Sequence, residues 1–259
     1  MKKMLALLMA TLMLVTALVI PAYAETDMEY VKNKGVLVVG ITDFAPMDYK
    51  DENGEWIGFD ADLAKAFAAY LGVEIELVEI DWDNKILELN GKSIDCVWNG
   101  MTLTDEVKSA METSNAYANN AQVVVLPAAK ANDYADVAAL SALSFAVEAG
   151  SAGEAEVNAL GYTTTPVQSQ AATLLEVKAG TSDAAVIDAL MAAAMVGEGT
   201  DYADLTYTFS LNSEEYGVGF RKGSDLAAAL NEFLAAAYTD GSMMAIAETY
   251  GVQAAIIPQ

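Results

Sequence analysis

"VLVVGI", residues 36–41, places six apolar residues in a row with no polar alternate. A strand with one wet face alternates in polarity. A continuous apolar run belongs to a strand covered on both faces, the habit of parallel sheets. The loop that follows is punctuated by Gly and Pro and contains "DENGEW" (51–56), with a turn at Asn53-Gly54. Leu63, Ala66, Phe67, Tyr70 and Leu71 then recur at helical spacing, and Gly72 supplies the stop. Val73, Ile75 and Leu77 alternate as a strand, Asp83 to Asn90 reads as a short helix ending at Gly91, and Ile94 to Trp98 as a third strand. The order βαβαβ predicts a parallel sheet with helices on both faces.

A second cycle follows another apolar strand, "AQVVVLP" (121–127). Ser144 to Glu148 reads as a strand, "AGSAGE" (149–154) as a turn into a helix, and "YTTTPV" (162–167) as a further strand. "QAATLLEVKAG" (170–180) is helical, "DAAVID" (183–188) a strand, and an Ala-rich helix follows Asp188. "EYGVGF" (215–220) is a closing strand, with helices over 223–238 and 242–250. Two similar α/β units without a flexible linker predict two lobes facing a shared cleft, the usual place for a small ligand.

The chain opens with Lys2 and Lys3, an apolar run from Met4 to Ile20, and Ala22-Tyr23-Ala24, the three parts of a secretory signal peptide over residues 1–24. No cysteine stands at the junction to carry a lipid, and no later apolar stretch is long enough to span a bilayer. Cleavage removes two lysines and no acid, leaving 11 basic against 37 acidic residues, a net charge of −26. That balance excludes nucleic acid and anionic lipid as partners. The absence of histidine removes the commonest general base and metal ligand, so no cofactor or metal is expected. Cys96 lies inside an apolar strand and reads as a small core residue.

Ligands of open α/β sheets gather beyond the C-terminal ends of strands. The loops so nominated are 42–47, 99–102, 150–153 and the segment around Asp188. Phe44 is either loop packing or a ligand contact. Trp82, in the polar setting "IDWDNK" (80–85), is half-buried packing or a flat platform. Asn99 to Thr102 reads as a loop that delivers polar atoms to the helix begun by Thr104. Gly150-Ser151-Ala152-Gly153 resembles an anion-binding loop at a helix N-terminus, without the lysine of a phosphate loop. Asp188 either caps the next helix or holds an ammonium group.

"GFDADLAKAF" (58–67) is similar to the G-F-D-x-D-L signature of the family 3 extracellular solute-binding proteins, the polar amino acid receptors of ABC importers. "FAPM" (44–47), "LELNGKSIDCVWNGMTLT" (87–104), "EAGSAGE" (148–154), "SDAAVID" (182–188), "EYGVGFRKGSDL" (215–226) and "DGSMMAIAETYG" (240–251) resemble further family segments, in order and at family spacing. The resemblance implies an α/β two-lobe periplasmic-binding-protein (Venus-flytrap, type II) fold with two inter-lobe crossovers. Lobe one would be 25–121 plus 214–259, and lobe two 122–213. It also implies a periplasmic or extracellular monomer that binds a small polar solute, an amino acid, and presents it to a membrane permease. Carried over by position, Phe44 and Trp82 would flank the ligand side chain. Gly100 would offer its carbonyl and Thr102 its hydroxyl. Ser151 and its neighbours would bind carboxylate through backbone N–H groups, Asp188 would pair with the α-ammonium, and Asn99 would read the side chain.

One departure matters. The family reads T-x-E-R, whose arginine clamps the ligand carboxylate; here the segment is Thr104-Asp105-Glu106-Val107. Arg221 is the sole arginine and its "RK" pair reads as surface. Either helix N–H groups, Thr102 and a lysine such as Lys85 hold the carboxylate, or the ligand is a cationic amine without one, or transport-type binding is lost. A cyclohexadienyl-dehydratase-like enzyme is the competing function on this fold. A chain with no histidine and one arginine is poorly equipped for it. An extracellular sensor with a separate signalling partner is a third.

Overall fold

The computed structural model describes residues 25–134 and 136–259; the expected signal peptide lies outside the described residues. In chain order the regular elements begin with α1 (Asp27–Lys34), β1 (Val36–Ile41), β2 (Tyr49–Lys50), β3 (Trp56–Ile57), α2 (Phe59–Leu71) and β4 (Glu74–Glu79). Next come α3 (Lys85–Asn90), β5 (Cys96–Thr102), α4 (Asp105–Ala110), β6 (Glu112–Thr113), β7 (Ala118–Asn120) and β8 (Gln122–Pro127). The second cycle is β9 (Ser144–Glu148), α5 (Ala152–Ala159), β10 (Thr163–Val167), α6 (Gln170–Ala179), β11 (Ala184–Asp188) and α7 (Ala189–Met195). It closes with β12 (Leu205–Ser210), β13 (Glu214–Phe220), α8 (Leu226–Asp240) and α9 (Ser242–Thr249).

The fold is α/β and two-lobed, with one large sheet per lobe and a separate two-stranded β2-β3 sheet. The first sheet runs β4-β1-β5-β13-β6, with β7 on β13, and the second runs β10-β9-β11-β8-β12. β1 is parallel to both β4 and β5, as the continuous apolar run requires, and β9 is parallel to β10 and β11. β13 enters the first sheet antiparallel to β5, and β8 enters the second antiparallel to β11. The chain passes from first sheet to second between β7 and β8 and returns between β12 and β13. Because β7 pairs with β13 and β8 with β12, both crossings lie side by side.

Gly72 ends α2 in the left-handed conformation. Thr104 caps α4, its hydroxyl accepting from the Val107 N–H at 3.1 Å. The segment 83–90 is one 3-10 turn (Trp82–Asn84) followed by α3 rather than a single helix.

Three further expectations are corrected. Residues 99–102 are not a loop: β5 continues to Thr102 because β13 pairs with it at Met101 and Thr102. Tyr70, at a helical core position, is 54 % exposed, since α2 buries Leu63, Phe67 and Leu71 on one narrower stripe. Arg221 is not a surface residue. It is 8 % exposed, and its Nε donates to both oxygens of Asp27 at 3.0 Å. Its other nitrogens reach the carbonyls of Leu89 and Ile94 and the carboxylate of Asp95. The sole arginine thus ties α1 and β13 to the segment before β5, because a planar guanidinium satisfies several acceptors at once.

Candidate functional site

The motif "GFDADL" builds the floor on which the first-sheet side of the site rests. Gly58 holds φ +130°, and a Cβ there would stand 2.1 Å from the Met47 carbonyl oxygen. The close approach lets the first N–H groups of α2 donate to the loop before it, Phe59 to the Pro46 carbonyl and Asp60 to that of Met47, both at 3.0 Å. Asp60 is fully buried, and its Oδ2 accepts from the Gly100 N–H (2.6 Å) and the Tyr117 hydroxyl (2.7 Å). The motif's first acid therefore acts on the strand carrying Asn99 and Gly100. Burial raises its pKa to about 7 against the pull of those donors.

A cavity of about 490 Å³ lies between the two sheets. Trp82, Lys85, the β5 segment 99–102 and the start of α4 line one side, and Glu148, the turn 150–152, Glu154, Gln170 and Asp188 line the other. Of the residues named from sequence, Trp82, Asn99, Gly100, Thr102, Ser151 and Asp188 come together on this wall. Phe44 does not. It is 1 % exposed and lies beneath Gly100, where a Cβ would stand 2.5 Å from its ring. The two sides nearly touch at Gly150, whose Cβ would stand 2.7 Å from Asp83 Oδ1.

Several of these polar groups already have partners. The Asn99 amide accepts from the Thr42 N–H and donates to the Thr42 hydroxyl, both at 2.8 Å. The Thr102 hydroxyl donates to Glu214 at 3.0 Å. Ser151 caps α5 through its hydroxyl, and the Gly150 N–H donates to Glu154 at 2.7 Å. What remains at that turn is the N–H pair of Ala152 and Gly153, which the first turn of a helix leaves without intrahelical acceptors.

Asp188 ends β11 and makes no side-chain cap to α7. Its carboxyl instead accepts from Asn120, Gln122 (3.1 Å), Gln170 and the Tyr216 hydroxyl (2.6 Å). Asn120 and Gln122 also donate to Glu214, at 2.6 and 2.8 Å. These residues flank both crossings between the sheets. Burial, then the charge of Glu214, push Asp188 up to about 8.

The cavity wall carries six carboxyl side chains, Asp83, Asp105, Glu106, Glu148, Glu154 and Asp188, against one ammonium, Lys85. The Lys85 Nζ donates to the carbonyls of Trp82 (3.2 Å) and Gly150 (2.9 Å), 4.8 Å from the Trp82 ring centre. Burial lowers its pKa. Val107, at the position of the clamp arginine, is 5 % exposed and packs with Trp82, Met101 and Met111. Sequence reasoning missed Gln170, which donates to Asp188, and Glu148. For Glu148 the signal was available: like Asp188, it is the acid that ends a buried apolar strand before a helix.

Comparison with known proteins gives one consistent answer. The family model of the bacterial extracellular solute-binding proteins, family 3, matches residues 37–253. The L-cystine-binding protein TcyJ of Escherichia coli (strain K12) is 26 % identical over 242 residues, 92 % of this chain and 91 % of that protein. The arginine-binding extracellular protein ArtP of Bacillus subtilis (strain 168) is 30 % identical over 241 residues, 90 % of this chain and 92 % of its own. Among solved structures, a mutant of ArgBP from T. maritima superposes with a TM-score of 0.82 at 33 % identity, covering 87 % of this chain and 99 % of that one. The ancestral amino acid-binding protein AncCDT-1, described as a precursor of cyclohexadienyl dehydratase, gives 0.79 at 29 % identity, covering 86 % and 98 %.

Proposed function

We propose, for a chain that belongs to the bacterial extracellular solute-binding proteins, family 3, that it captures an amino acid in the cleft and delivers it to the permease of an ABC importer. Lobe one is taken as 25–121 plus 214–259 and lobe two as 122–213. The protein is exported by residues 1–24 and works as a monomer. The observation that carries this reading is the cavity walled by residues of both sheets, in which Trp82, Gly100, Thr102, Ser151 and Asp188 meet. A solute touching both walls favours the closed arrangement, because it gains contacts there that the open one lacks.

In this reading Asp188 pairs with the α-ammonium, the Gly100 carbonyl and the Thr102 oxygen accept from it, and Trp82 covers the side chain. The N–H groups of Ala152 and Gly153 receive the carboxylate in place of an arginine clamp. The dehydratase alternative lacks equipment: there is no histidine, and Arg221 is committed to Asp27 and Asp95.

The test is a thermal-shift screen of the mature protein against amino acids and amines, followed by analysis of the recovered ligand. Saturating ligand at about a hundred times Kd adds roughly 2.7 kcal/mol. We expect one-to-one binding with the ligand returned unchanged; its consumption would establish an enzyme instead. Asp188→Asn resembles the protonated acid, so the variant should fold and lose the ligand-induced shift. Wild-type affinity would refute the ammonium-binding role.

A second variant probes closure. Gly150 has φ +71° and meets Asp83 across the cleft. Gly150→Ala should weaken binding about tenfold or more by holding the walls apart, with a smaller cost to the unliganded fold of roughly 1–2 kcal/mol for the left-handed backbone. Titration calorimetry reads the first and denaturant unfolding the second; an unchanged Kd would mean that the walls need not meet there.

A further inference from the structure

Of the two buried acids on the cleft wall, Glu148 and Asp188, the fold leaves Glu148 the less satisfied. It ends β9, is 2 % exposed and lines the cavity, and its Oε1 has no hydrogen-bond partner. Its neighbour Asp188 differs, since Asn120, Gln122, Gln170 and Tyr216 all donate to it. A buried carboxylate without full partners costs several kcal/mol unless a proton or a cation neutralises it. Burial, then the charge of Asp188, raise Glu148 to about 8, and Lys85, followed by Thr42 and Gln170, opposes them. The Lys85 Nζ donates to two carbonyls, and among the described residues it forms no salt bridge with Glu148. Glu148 lines the same cavity as Asp188, Lys85 and Trp82.

We propose that Glu148 is a ligand-binding carboxylate and that the solute carries two positive groups, one held by Asp188 and the second by Glu148. The inference rests on the receptor reading above and narrows its solute class. One further observation points the same way. Six carboxyl side chains line the cavity against the single ammonium of Lys85, an excess that favours a cationic solute over an anionic one. Basic amino acids have the required pair of charges, and so do diamines without a carboxylate. The absence of an arginine at Val107 leaves both open to the same pocket.

The experiment uses the mature protein and its Glu148→Gln variant. The probes are lysine, ornithine and arginine, their carboxylate-free counterparts cadaverine, putrescine and agmatine, and norleucine and glutamine as singly ammonium-bearing controls. Expected is a rise in Tm with at least one doubly positive probe and none with norleucine, and a tenfold or greater loss of that affinity in Glu148→Gln. Within the positive set, lysine without cadaverine identifies a basic amino acid, and cadaverine equal to lysine identifies a diamine; either supports the proposal. The unliganded variant should melt no lower than wild type at pH 8, since it removes an unpaired buried acid, which separates lost binding from lost folding. Norleucine or glutamine binding as tightly as lysine, or wild-type affinity in Glu148→Gln, overturns the role of Glu148 and leaves the receptor reading standing. No shift with any amino acid or amine overturns both.

Discussion

Gly58→Ala is expected to leave little folded protein at 37 °C. The backbone at Gly58 has φ +130° and ψ 171°, a region that essentially only glycine occupies, and forcing an L-residue there costs on the order of 1–3 kcal/mol. The added Cβ would also stand 2.1 Å from the Met47 carbonyl oxygen and 2.9 Å from the Asp48 nitrogen, both backbone atoms that no rotamer change can move aside. Relief requires parting α2 from the 44–48 loop, which breaks the bonds from Phe59 and Asp60 and displaces the carboxyl that holds Gly100. Together these exceed about 4 kcal/mol, the range reserved for a few severe mechanisms and a large part of a typical domain's stability. Urea unfolding of the two proteins measures it. A loss below about 1 kcal/mol, the size of an ordinary substitution, would show that this contact is not needed.

The unliganded protein should become less stable as pH rises from 5 to 9. Burial raises Asp60 to about 7 and Glu148 and Asp188 to about 8, and it raises Asp48 well above its usual value beside Asp60. In the unfolded chain these acids titrate near about 4. Between that value and the folded one the native state holds more protons than the unfolded state, so the slope of unfolding free energy with pH is negative. The stability from these groups is complete below about pH 4 and lost as pH climbs through about 7 to 8. Each tenfold change in proton affinity between the two states corresponds to about 1.4 kcal/mol, so even partial ionisation removes several kcal/mol. At roughly 2–4 °C per kcal/mol, the fall in Tm is about 10 °C or more. Surface carboxylates repel one another too, but they finish ionising below about pH 6 and are screened by salt. A fall that persists in high salt and flattens in Asp188→Asn identifies the buried acids; a Tm constant from pH 6 to 9 would contradict their burial as protonated groups. A bound cation replaces those protons, so ligand stabilisation should grow over the same pH range.

Much of the architecture was legible because it rests on short-range patterns. The apolar runs at 36–41 and 122–127 need no distant information, and Gly72 and Thr104 mark helix ends by local chemistry. What escaped depends on residues far apart in the chain. Arg221 looks like surface until Asp27 and Asp95 fold against it. Helix α1 buries only Val31 and so has almost no apolar period to read. Residues 99–102 look like a loop because pairing with β13, more than a hundred residues later, is invisible locally. In the cleft, residue types at strand ends named most of the wall. Sequence could not tell which polar groups were already spent: Asn99 is tied to Thr42 and Thr102 to Glu214, whereas the Glu148 Oε1 is free.

Isothermal titration of the mature protein with lysine and with cadaverine, at pH 8, tests the central claim most directly. A saturable one-to-one heat with at least one of them, the solute recovered intact and no heat with norleucine, is the predicted result. No heat with either, or norleucine binding as tightly as the better of the two, would contradict an acidic cleft built to hold a doubly positive solute.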